Sequence, residues 1–177
     1  MQTKVRNQIS KGVVAVAGVC LMTIAGASAA PQGKASKHDQ HFLVEAIQGD
    51  LSEVKVGQLA QQKAQSDQAK QFGKMLEQDH SDNLNQAQQL ADAQGVQAPS
   101  EPNSEQKAIY DKLNGLSGAQ FDAAFARSMV KDHEEDVRKF QREAKSQSPV
   151  ADFAKRTVPL LQKHLETAKS LQKSASR

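Results

Sequence analysis

Tryptophan is missing from this 177-residue chain, tyrosine occurs once and phenylalanine six times, which leaves room for one modest domain. A hydrophobic share of 38% with few glycines and prolines suits a helical one. The single cysteine, Cys20, falls within the first thirty residues. Beyond it there is no disulfide, no thiolate nucleophile and no cysteine-based metal site. Short segments of alternating polarity do not occur, which argues against a membrane barrel. A Ser-His-Asp signature and a phosphate-binding glycine loop are also lacking, so the sequence names no reaction and leans away from an enzyme.

Nor is there a block of one-signed charge. The 23 Lys and Arg include Lys4, Arg6 and Lys11, and past residue 30 the remaining 20 equal the 20 Asp and Glu. Basic residues are interspersed with acids along the chain, so nothing points to nucleic acid or an anionic membrane, and no protein partner is indicated.

What the N-terminus does have is the pattern of an export signal. MQTKVRNQISK is basic, VVAVAGVCLMTIAGA is apolar, and ASAA offers cleavage after Ala29 or Ala30. The apolar run of roughly 12 to 15 residues is short of the roughly 20 that span a bilayer. Val19 is too bulky for the small residue that precedes a lipidated cysteine. The expectation is a signal peptide at 1–30, a flexible segment at 31–40, and a domain at 41–173 that is periplasmic or secreted, with no membrane span after cleavage.

That domain reads as all-α, four helical blocks in order. The first, about His41 to Ala64, places Phe42, Ala46, Gly49, Glu53, Val56 and Ala60 at intervals of three and four. Ser66 or Asp67 can cap the second, whose seam runs Ala69, Phe72, Leu76, His80, Leu84, Ala87, Ala91 and stops at Gly95. A crossover of about 23 residues carries a short apolar segment, Ile109 to Leu116, expected to be a short helix. The third block repeats Phe121, Phe125, Met129, His133, Val137, Phe140, Ala144. The fourth opens at Ser148 and Pro149 and repeats Ala154, Thr157, Leu161, His164, Ala168, Leu171. Pro159 lies inside it and either opens access to its surroundings or simply bends the helix.

Three histidines and one glutamate thus occupy core slots. At 1.5 Å per residue, Glu53 and His80 lie about 20 and 21 Å from the loop joining their helices, and His133 and His164 about 22 and 24 Å from theirs. All four are expected near mid-bundle. Several imidazoles with a carboxylate suit Fe, Zn, Mn, Cu or Ni. Glu77 precedes His80 in an E-x-x-H, the spacing that di-metal carboxylate bundles use, but no second copy occurs, which favours one metal over two. A hydrogen-bonded Glu/His polar core that fixes helix register, in a structural or stress-associated bundle, is the other reading; a bundle binding a small molecule or partner in a mid-core cavity is a third. Glu45, Asp79, Asp82, Asp132, Glu134 and Glu135 are expected on the solvated surface, and His38 and His41 exposed.

The segments FLVEAIQGDLSEVKVGQLA, QFGKMLEQDHSDNLNQAQQLADAQGV, FDAAFARSMVKDHEEDVRKFQREA and LLQKHLETAKSL, behind an exported N-terminus, resemble the bacterial family of domain of unknown function 4142 from about His41 to Leu171. The resemblance implies a ferritin-like four-helix bundle, to which the residues themselves add the long crossover between the second and third helices carrying a short helix. It implies Glu53, His80, His133 and His164 as characteristic polar positions, and an exported or outer-membrane label with no established activity.

Overall fold

In the computed structural model, residues 35–175 are described; the expected signal peptide at 1–30 lies outside them. The described chain forms α1 (Lys37–Lys63), α2 (Asp67–Gln94), a short α3 (Ser104–Asn114), α4 (Gly118–Glu143) and α5 (Ala151–Ala175). Among the described residues there is no strand, only one isolated bridge between Ala64 and Gly118. No described helix is long and apolar enough to cross a membrane.

Side-chain caps fix most of the helix starts. Ser36 and Asp39 form a capping box on α1, so the helix begins at Lys37 and takes in the last four residues of the segment expected to be flexible. Ser66 caps α2 through the N–H of Ala69, and Gly95 ends it in the left-handed conformation, φ 68°. Asn103 and Gln106 form a second capping box, which starts the short helix in the crossover. At the last start the expectation shifts by two residues, from Pro149 to Ala151. Ser148 does not cap α5; its hydroxyl donates to the buried carboxylate of Glu143, and α5 opens at Ala151. α5 runs unbroken through Pro159, which is on its exposed face.

α1 pairs along α2 and α4 along α5, as two antiparallel hairpins. Their mutual direction follows from Asp122, near the start of α4, whose carboxylate accepts from the backbone N–H of Gln65 and Ser66, both at 2.9 Å, in the α1–α2 loop. α4 therefore begins at the end of the bundle where α2 begins. The two helices run the same way, and the crossover with α3 returns the chain along the full length of the bundle.

The buried apolar residues divide into two groups. One joins the end of α1 and the starts of α2 and α4, with Val56, Phe72, Leu76, Phe121 and Phe125. The other joins the start of α1, the end of α2 and the start of α5, with Phe42, Leu43, Ile47, Phe140 and Phe153. Between them lies a belt of buried polar side chains: Asp50 and Glu53 from α1, His80 and Asn83 from α2, His133 from α4, Thr157 and His164 from α5. In α2 the inward slot expected for Leu84 belongs to Asn83, while Leu84 is half-buried beside it. α1 and α2 approach closely at Gly57 and Gly73, where a Cβ on Gly57 would stand 2.6 Å from the Gly73 carbonyl oxygen.

Candidate metal centre

The belt brings the three histidine rings together. Ring centroids lie 5.8 Å apart for His80 and His133, 5.2 Å for His80 and His164, and 5.3 Å for His133 and His164. One nitrogen from each ring falls within 4.8 Å of the other two, and so do one oxygen of Glu53, one of Asp132 and one nitrogen of His133. The common depth expected for Glu53, His80, His133 and His164 is what the helices deliver. Glu77 is not brought to the group. Its carboxylate accepts from Gln58 and Gln61 of α1, at 2.8 and 2.7 Å, and those bonds hold its pKa below the usual range.

Each ring is held from outside by an acceptor. His133 Nδ1 lies 3.0 Å from the carbonyl oxygen of Met129, which can only accept, so Nδ1 carries the proton. His164 Nε2 donates to Asp79 Oδ2 at 2.9 Å. His80 Nδ1 meets Asp50 Oδ1 at 2.8 Å, and that carboxyl accepts from the Asn83 amide at 3.1 and 2.9 Å. Thr157 Oγ1 lies 2.9 Å from Asn83 Oδ1 and 3.0 Å from the Phe153 carbonyl oxygen, between which it shares its one proton.

With the outer nitrogens protonated, the inner ones are lone pairs. His133 Nε2 and His164 Nδ1 face each other at 3.3 Å with no proton between them, and His80 Nε2 is buried without a partner among the described residues. Two ligands each about 2.0–2.1 Å from a tetrahedral ion lie about 3.3 Å apart. Outer acceptors that fix the tautomer and turn the free nitrogen inward are the supports that metal-ligating histidines have. Glu53 Oε2 is likewise buried without a donor, and the neighbouring Asp132 is a second carboxyl.

Burial dominates the electrostatics. It pushes His80 down to about 4, His133 to about 3 and His164 to about 4, the last two lowered further by a neighbouring histidine. The trio is therefore neutral at pH 7, the form that binds metal. Burial drives Asp50 and Glu53 the opposite way, well above the carboxylate range, and Asp132 adds to the rise of Glu53. Half-buried Asp136 is pushed up to about 7 by burial and by Asp132.

A histidine whose folded pKa lies below its unfolded value near 6.5 contributes stability that is complete above pH 6.5 and lost as pH falls toward the folded value. The raised carboxyls act with the opposite sign, so the contribution is read as a difference between proteins. Metal-free wild type is expected to lose roughly 2–3 kcal/mol relative to His133→Gln between pH 6.5 and 4.5, measured by urea unfolding.

Several members of the belt escape sequence reasoning. Asp79 and Asp132 are not solvated surface: Asp79 holds His164, and Asp132 stands against Glu53 and His133. Residues beside a core position lie at the edge of the helix face, and here a neighbouring helix covers that edge. Both acids directly precede a histidine, a repeated Asp-His that is the available signal. Asp50 lies three before Glu53 and so shares its face. Glu134 does pair at the surface, with Lys169, and Asp82 and Glu135 are exposed. His41 is exposed; His38 is 73% exposed while its ring meets Glu143 at 2.7 Å.

The residues that carry this arrangement lie inside a stretch, 25–171, that matches the family model described as domain of unknown function (DUF4142). The chain belongs to the DUF4142 family. No curated protein and no solved structure matches it. Every belt residue of this DUF4142 chain, from Asp50 to His164, falls within the matched span.

Proposed function

We propose that this DUF4142 protein is an exported, periplasmic ferritin-like bundle that binds a transition metal through His80, His133 and His164, with Glu53 as the carboxyl beside that site. The observation that carries the reading is the set of three inward ring nitrogens, each ring tied at its outer nitrogen to an oxygen. A hydrogen-bonded core built only for structure would leave no such remainder, because a buried acceptor without a donor destabilises the fold by about 1–3 kcal/mol. A cation satisfies all three at once. It also offsets the cost of ionising Asp50 and Glu53 in the interior.

Imidazole with carboxylate suits Fe, Zn, Mn, Cu or Ni. The ferritin-like assignment is supported by the single long crossover between α2 and α4. Export is supported by the basic, apolar and small-residue order of the first thirty residues.

Elemental analysis tests the metal. Protein purified without chelator is expected to hold one transition metal per chain, and the His80→Ala, His133→Ala, His164→Ala triple variant none. Metal-free wild type that takes up none of these ions when they are supplied would reduce the belt to a polar core.

A further inference from the structure

Between α1, α3 and α4 a cleft of about 380 Å³ runs from the surface to Glu53 and Asp132. Six carboxyl side chains line it against two lysines, Lys131 and Lys139. Lys139 is occupied, 3.5 Å from Glu45 and 3.4 Å from Asp136. The excess of acid alone would be a solvated surface. At the inner wall, however, Glu53 is 3% exposed and its Oε2 lacks any donor among the described residues. Next to it stand another carboxyl, Asp132, and a ring nitrogen of His133.

We propose that the floor of this cleft is a second, outer cation site, with the carboxylates of Glu53 and Asp132 as its oxygen ligands and His133 as its boundary with the histidine trio. Two carboxylates at the floor of a cleft suit a hard divalent ion such as Mn²⁺, whereas three imidazoles suit a softer one. His133 Nδ1 is tied to Met129, so only its Nε2 lone pair is free. The ring belongs to both groups, and with a single free lone pair it cannot hold two ions. The outer site is thus a station from which a cation passes inward to the trio by exchanging oxygen ligands for nitrogen ones at a shared ring. The transfer step rests on the trio binding metal; the outer site does not.

The test separates the two. Mn²⁺ is added to metal-stripped protein and the free aquo ion followed by electron paramagnetic resonance, with circular dichroism as the check on folding. His80→Ala/His164→Ala, which keeps Glu53, Asp132 and His133, is expected to retain one Mn²⁺ per chain, and adding Asp132→Asn to weaken it roughly 10- to 100-fold. Asp132 is half-buried, so Asp132→Asn alone serves if the histidine double variant does not fold. In that single variant the final Co²⁺ content of the trio is expected to equal wild type, while the rate of loading falls several-fold. Co²⁺ uptake without Mn²⁺ binding overturns the outer site and leaves the trio standing. Mn²⁺ binding that is sensitive to Asp132→Asn, without Co²⁺ uptake, overturns the trio and leaves the outer site. Mn²⁺ binding indifferent to Asp132→Asn overturns the assignment of its ligands.

Discussion

Alanine at position 133 is expected to remove the response of this protein to metal. For wild type, a transition metal supplied at about a hundred times its dissociation constant adds about 2.7 kcal/mol of stability, which for a domain of this size raises Tm by roughly 5–10 °C. His133→Ala should show no rise, because its Nε2 faces His164 Nδ1 at 3.3 Å and a nitrogen of the same ring is within 4.8 Å of oxygens of Glu53 and Asp132. No other side chain belongs to both groups. The variant's metal-free stability falls for a separate reason, the cavity left by a buried ring. The informative quantity is therefore the difference between scans with and without metal. An undiminished rise in His133→Ala would place the ion elsewhere.

Gly57→Ala is expected to destabilise the metal-free protein by roughly 2 kcal/mol, and Gly57→Val by more. A Cβ at Gly57 would lie 2.6 Å from the Gly73 carbonyl oxygen and 2.8 Å from the Glu77 backbone nitrogen. Both are backbone atoms that cannot rotate aside, so α1 and α2 must part. The gain in helix propensity from glycine to alanine, about 1 kcal/mol, offsets only part of this. Parting these helices also draws Asp50 away from His80, so metal retention should weaken along with stability. Gly49→Ala is the control: its Cβ would meet only Asp136 Oδ2, at 4.0 Å, and the substitution should be neutral or slightly stabilising. Chemical unfolding of the three variants checks the order.

The seam residues of the four long helices were legible because their apolar positions repeat at helical intervals, and a histidine in such a slot stands out by being polar. Equal distance from a hairpin loop then turned sequence spacing into depth. Asp79 and Asp132 were not legible in that way. Each lies at the margin of its helix face, and whether a margin is buried depends on the neighbouring helix, which no local pattern encodes. Asp50 was hidden for another reason: an acid among Ile47, Leu51 and Glu53 reads as solvated unless the asparagine that satisfies it, Asn83, is known to stand opposite. Glu77 misled through its spacing. The i, i+3 offset from His80 puts it on the neighbouring part of the helix surface, and on that side α1 presents two glutamines in place of a cation.

The division of the belt between the hairpins sets what the belt reports. One hairpin brings Asp50, Glu53, His80 and Asn83, the other Asp132, His133, Thr157 and His164. Neither half encloses anything alone, and sliding one past the other by a single helical turn of about 5.4 Å would set imidazoles against aliphatic side chains. An ion seated there is a clasp across the two halves of the chain, and the strength with which it is gripped and the tightness with which the halves close are one free energy seen from two directions.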